Sequence, residues 1–170
     1  TLGGGSFAGS IANQGTLAIA TSSNQALGGV VSGSGAISKT AGGTLTLGAS
    51  NSYSGQTLIN GGTVLATHSS ALGQGGHIGG TMTFIGDGAT LALQGGISLD
   101  EHFHVWGAGA GGLGALRSIS GNNALTDNAV AGSGYALRSN TTVAVEADTL
   151  TVSGFYEEAG SWGLIKTGAG

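Results

Sequence analysis

Short alternations of threonine and aliphatic residues, cut apart every few residues by glycine pairs, run the length of this chain and leave few folds open to it. Residues 33–65, GSGAISKTAGGTLTLGASNSYSGQTLINGGTVL, show the pattern at its cleanest. Apolar side chains recur at i and i+2: Leu17 and Ile19, Leu45 and Leu47, Met82 and Phe84, Leu91 and Leu93, Ile97 and Leu99, Phe103 and Val105, Val143 and Val145, Leu150 and Val152. That period belongs to a strand with one face inward, and helical spacing is absent. Between the apolar positions, Thr44, Thr46, Thr83, Thr142 and Thr151 are expected on the outward, hydrated face, where β-branching suits a pleated surface. Glycine pairs at 42–43, 61–62, 75–76, 79–80, 95–96 and 111–112 supply the corners. Strands of about four residues with corners this frequent are too short for a free-standing sandwich, but they suit coils that stack on like neighbours.

Composition narrows the choice. The 37 glycines in 170 residues are about three times the ordinary share of roughly 7%, yet the Gly-X-Y period and the proline of collagen are missing. With 39% hydrophobic and 7% charged residues the chain is too apolar for disorder. No apolar run reaches the roughly 18 residues of a spanning helix, and the N-terminus lacks signal-peptide zones, so the window reads as soluble. From Thr1 to Ile85 the only charged side chain is Lys39, and the first acid is Asp87. The four basic residues Lys39, Arg117, Arg138 and Lys166 are scattered, which argues against nucleic acid and against an anionic membrane. No cysteine is present, so stability is expected from extended repeated packing instead of disulfides.

A glycine-rich coil cannot stand alone. Burying a Leu or Val yields roughly 1.5–3 kcal/mol, while ordering each residue costs about 1–2 kcal/mol, so neighbouring coils must supply the difference. Gly15-Thr-Leu-Ala-Ile19, Gly43-Thr-Leu-Thr-Leu47, Ala89-Thr-Leu-Ala-Leu93 and Asp148-Thr-Leu-Thr-Val152 read as versions of one strand, and Ala36-Ile-Ser-Lys-Thr40 recurs as Leu164-Ile-Lys-Thr167. Their spacing predicts about 20–25 residues per coil and about seven to eight coils. The expected organisation is a single all-β segment over 1–170, with repeat-like blocks near 15–40, 33–66, 79–99 and 114–153 and a truncated repeat at 164–170. It reads as a fragment of a longer solenoid.

The stretch from Gly35 to Val64, with Ile37-Ser-Lys-Thr40, Gly43-Thr-Leu-Thr-Leu47, Asn51-Ser-Tyr-Ser-Gly55 and Ile59-Asn-Gly-Gly-Thr63, closely resembles the passenger-associated repeat of bacterial autotransporters, the type V secretion proteins. Gly79-Gly-Thr-Met-Thr-Phe84, the run from Gly88 to Gly95 and that from Gly114 to Asn123 resemble the same passengers. The resemblance implies a right-handed parallel β-helix on a Gram-negative cell surface, with a C-terminal β-barrel translocator beyond Gly170. It further implies a stalk that promotes secretion and folding and supports adhesion, through self-association or contact with host or biofilm glycans. The bulky, acidic Phe155-Tyr-Glu-Glu158 departs from the family text and suggests a local loop.

Candidate sites are few. Asp100-Glu101-His102-Phe103-His104 is the densest polar cluster, and His102, His104 and Asp100 are the metal-ligand candidates. With Phe103 and Val105 inward, both histidines are expected at a solvated corner, and no third convergent ligand is identifiable, so no metal is expected. Gly107-Ala-Gly-Ala-Gly-Gly112 fits the dinucleotide fingerprint in letters, but no helical period follows it; a flexible corner loop is expected. The single Gly86-Asp-Gly88 lacks the tandem copies of a calcium-binding repeat. Asp100 and Glu101, Asp127, Glu146 and Asp148, and Glu157 and Glu158 would meet only by chance of stacking, and no nucleophile elbow is present. No catalytic residue and no cofactor are therefore assigned. A carbohydrate-active β-helix enzyme and an inert spacer are the rival readings. Trp106, Trp162, Tyr53, Tyr135, Phe155 and Tyr156 are read as corner fillers, with sugar stacking as their alternative role.

Overall fold

The structure is a computed structural model that describes residues 3–74, 82–127, 135–157 and 160–170. Among these, twenty short strands and one 3-10 turn at Ala110–Gly112 account for the regular structure, and every strand pairing is parallel. Parallel partners of two to six residues, each separated by a full coil, make a β-solenoid. Its longest sheet stacks Gly5–Phe7, Gln25–Leu27, Thr44–Leu47, Gly62–Ala66, Ala89–Gln94, Leu116–Ser120, Thr141–Val145 and Leu164–Thr167. A second sheet stacks Thr16–Ile19, Ala36–Lys39, Thr57–Ile59, Thr83–Ile85, Phe103–Val105, Tyr135–Leu137 and Phe155–Glu157. A third side is formed by Ser98–Asp100, Asn123–Thr126 and Leu150–Val152, and earlier by Ile11–Ala12 and Val31–Ser32. Eight rungs in the longest sheet roughly match the expected coil count.

Register makes the interior. In the second sheet Ile19, Lys39, Ile59, Ile85, Val105 and Leu137 form one inward column. In the longest sheet Leu45, Val64, Leu91, Leu116 and Val143 form another, all of them buried. The corners close by backbone contact: a Cβ on Gly55 would lie 2.5 Å from the carbonyl oxygen of Gly35, one coil earlier, so the turn admits no side chain there. Buried Asn51 ties three coils together, its Oδ1 accepting from the Val31 amide at 2.8 Å and its Nδ2 donating to the Ala71 carbonyl at 2.7 Å. The side chain thus does for a bare corner what a ladder bond does for a strand.

Four expectations need correction. Phe155–Glu157, expected in a local loop, is a strand paired with Tyr135–Leu137. Second, the four strand copies are not equivalent positions: Thr16–Ile19 lies in the second sheet, Thr44–Leu47 and Ala89–Gln94 in the longest, and Leu150–Val152 in the third. Ala36–Lys39 and Leu164–Thr167 likewise fall in different sheets. The shared wording specifies a strand with one apolar face, and any side of a solenoid can use that. Third, Met82 and Phe84 are not the inward pair. Thr83 is fully buried with Ile85, because Thr83 pairs with Thr57 and Phe103, and Ile85 with Ile59 and Val105. Fourth, Thr142 is buried rather than hydrated. The loop from Gly107 to Gly114 folds over the outer face of the longest sheet: the Thr90 hydroxyl donates to the Gly114 carbonyl at 2.7 Å and accepts from the Ala110 amide at 2.9 Å, and the Thr142 amide donates to the Gly107 carbonyl. The predicted corners at 75–76 and 79–80 lie outside the described residues.

Candidate binding face

Outward positions of the second sheet change character along its length. One column runs Ala18, Ser38, Leu58 and then Phe84, His104, Ala136 and Tyr156. The strand Phe103–Val105 sends Phe103 and Val105 inward, so His102, His104 and Trp106 share the outer face by period. The rings form a continuous patch: Phe84 to His104 at 5.1 Å, His102 to His104 at 5.3 Å, and His104 to Trp106 and His102 to Tyr156 both at 6.3 Å between centroids.

Both histidines face outward as expected, yet neither is solvated, at 7% and 8% exposure. Neighbouring rungs cover them. His102 Nδ1 pairs with Asp127 Oδ2 at 2.8 Å, and His104 Nδ1 meets Arg138 Nη2 at 2.9 Å. A guanidinium can only donate, so the His104 Nδ1 lone pair is the acceptor. Asp100 is exposed on the third side, in the strand Ser98–Asp100. Among the described residues no three His, Cys, Asp or Glu side chains converge as metal ligands.

Beneath this face runs a polar seam. Glu101 is 2% exposed and takes a hydrogen bond from the Thr83 hydroxyl at 3.3 Å. Burial, aided by the charges of Asp100 and Asp127, pushes its carboxyl up to about 9, so it holds a proton at neutral pH. Asp127 therefore does come close to Asp100 and Glu101, which the separate acidic pairs in the sequence do not announce. The inward aromatics stack from coil to coil, Phe103 on Tyr135 at 4.9 Å and Tyr135 on Phe155 at 5.7 Å. Burial, then the nearby acids, raises the Tyr135 phenol above its ordinary range. The Tyr53 hydroxyl meets the Thr57 hydroxyl at 2.7 Å in the same interior. Tyr53 and Tyr135 thus fill the core with Phe155 packed against it, where the sequence reading expects corner fillers.

Trp106 is different. It is half-buried and lines a groove of about 370 Å³ with Leu58, Asn60, Phe84, Gly86 and Asp87. Arg138, on the following rung, lies over its ring at 5.8 Å from the centroid. Comparison with known protein families, with characterised proteins and with solved structures gave no match. The groove and the seam must therefore be read from their own chemistry.

The remaining candidates resolve simply. The glycine run 107–112 is the corner loop that covers the longest sheet, and no α-helix follows it in the described residues. Glu146 pairs with Arg117 at 2.5 Å on the surface. The sequence reading names Asp127 among the acids and Arg138 among the bases but brings neither to the histidines, because coils of variable length do so. A usable signal was present: Trp106 continues the i, i+2 row of His102 and His104.

Proposed function

We propose that this chain is a non-catalytic β-helix segment of a bacterial autotransporter passenger, displayed outside the cell as a stalk that aids secretion and folding and contributes to adhesion. Its partners in this reading are adjoining passenger coils, a β-barrel translocator, and other copies or glycans at the surface. The single observation that carries the proposal is the run of eight parallel rungs with an almost uncharged exterior in the first coils. Such an array gains stability rung by rung and lengthens without a new core design, which is what a rigid spacer requires. A parallel ladder built from one end also suits a chain that folds as it emerges.

The groove supports a non-catalytic role. Among the described residues that line it, Asp87 is the one carboxylate, whereas glycoside hydrolysis needs two flanking the bond. Glu101 and Asp127 are enclosed and engaged with Thr83 and His102. The proposal is tested by displaying the segment through a β-barrel translocator on cells. Faster settling of those cells and more surface-accessible passenger are expected, compared with a barrel lacking the segment. Equal settling and equal display would sink it, and sugar release from a polysaccharide panel would favour the enzyme reading.

A further inference from the structure

Deepening the adhesive part of that reading, we propose that the groove bounded by Leu58, Phe84 and Trp106 binds a neutral oligosaccharide, with one sugar ring stacked on the Trp106 indole and its hydroxyls taken by Asp87 and Asn60.

The first argument is the wall. Trp106 is braced: Arg138 lies over its ring from the following rung, and His104 holds Arg138 in turn at 2.9 Å, while the groove opens among the preceding rungs, which carry Leu58 and Phe84. A fixed, flat, electron-rich surface is what the C–H face of a sugar ring packs on, since little ordering cost remains at binding. Rungs about 4.8 Å apart make a floor of roughly 10 Å across three strands, enough for a short saccharide.

The second is the rim. Asn60 and Asp87 are exposed at the corners of consecutive rungs, and together they offer two amide donors and three acceptor oxygens, a set suited to hydroxyl groups. Asp87 is seated with care: a Cβ at Gly107 would lie 2.0 Å from its Oδ1, so the glycine following Trp106 leaves the space this carboxylate fills.

The third is what the groove refuses. Its one charged lining residue is an acid, so a phosphate, a sulfated glycan or an acidic sugar meets repulsion. Nor does it offer a strand edge to a peptide, because the Gly86 amide is bonded to Ile59 and the Trp106 amide to Ile85. An apolar wall with a polar, uncharged-to-acidic rim leaves a neutral polyol with two apolar faces as the matching chemistry.

The test uses the full chain carrying Trp162→Phe, so that emission reports Trp106 alone, titrated with maltohexaose, cellohexaose, laminarihexaose and mannohexaose, and with polygalacturonate as the acidic control. A saturable emission change with at least one neutral hexasaccharide is expected. By calorimetry, Trp106→Ala and Asp87→Ala should each weaken that binding about tenfold, and Trp106→Phe by less, with unchanged circular dichroism. Asp87→Asn should keep the neutral ligand and admit polygalacturonate. Silence with all four neutral sugars, undiminished binding by Trp106→Ala, or equal affinity for polygalacturonate in the parent would overturn the proposal. If the sugars fail while displayed cells still settle faster, the groove assignment falls and the stalk reading stands. If a sugar binds but display and settling are unchanged, the reverse holds.

Discussion

From Gly5 to Ala66 the coils hold to 19–20 residues, and beyond Ala66 they do not. Leu17 pairs with Ile37 and Ile37 with Thr57, each step 20 residues, whereas Thr57 pairs with Thr83 after 26, Leu116 with Val143 after 27 and His104 with Ala136 after 32. In the even coils several corners sit directly on the corner below, so backbone contact forces glycine at Gly29, Gly35, Gly43, Gly55 and Gly61, and the outer face stays small and neutral. The later coils carry extra residues, although tight corners persist, as at Gly121 on Gly96 and Gly168 on Val145. Side chains such as Arg138 and Asp127 then reach across a rung, and a loop lies over the longest sheet. Regularity makes the scaffold, and departures from it carry the chemistry.

The sharpest separation of the two regions is by pH. Folding raises the Glu101 carboxyl from 4.5 to about 9, so the folded chain binds that proton more tightly than the unfolded one. Its stabilising effect is complete below pH 4.5 and drains as pH rises towards 9, at up to about 1.4 kcal/mol per pH unit. The unfolding free energy from urea melts should therefore fall by several kcal/mol between pH 5 and 9, and Glu101→Gln should flatten that slope. An identical slope in the variant would mean that the seam is not where the pH dependence resides.

Next in size is the corner constraint of the even coils. Gly55→Ala should cost about 2–4 kcal/mol, since its Cβ meets backbone that cannot rotate away, whereas Gly42→Ala, with nothing within 4 Å and no left-handed φ, should be neutral or slightly stabilising. Thermal melts of the pair settle it, and equal losses would break the argument. Asn51→Ala follows, at about 1–3 kcal/mol, because the Val31 amide and the Ala71 carbonyl lose their shared partner. Hydrogen exchange at Val31 should rise first, and an unchanged rate would count against the bridge.

The smallest effect is expected at Lys39. Enclosed in the Ile19–Ile59 column, its amine folds onto the carbonyls of Ala41 and Gly61, and burial lowers its pKa. The ammonium is thus disfavoured by folding, a cost that is full below the lowered pKa and shrinks as pH rises from it towards 10.5. Lys39→Met keeps the volume and removes the charge, so stability at neutral pH should change by less than about 1 kcal/mol in calorimetry. A large loss would show that the amine holds the corner closed.

Much of the fold was legible because a strand period and a glycine corner are local properties. Leu45, Leu47, Phe103 and Val105 point inward as their alternation says. What failed was whatever depends on coil length. At Thr83–Ile85 both faces carry apolar residues, so only stacking on Thr57 and Ile59 decides that Thr83 goes in and Phe84 out. Lys39 and Lys166 show the same limit from the other side. Each amine folds onto the carbonyl two residues on, a local habit of similar text, yet they stand in different sheets. The histidines were placed on the correct face but in the wrong solvent, because Asp127 and Arg138 arrive from 25 and 34 residues away.

Removing residues 16–35 tests most directly whether a 20-residue coil is an interchangeable unit of this stack. The deletion sets Ala36–Lys39 in the place of Thr16–Ile19 and brings Leu45 onto Gly5, leaving every later rung as it was. In the Trp162→Phe background the shortened chain should keep its β circular dichroism, melt cooperatively a few degrees lower, and show unchanged Trp106 emission. Loss of the cooperative melt, or Trp106 emission shifted to that of the urea-unfolded chain, would contradict it.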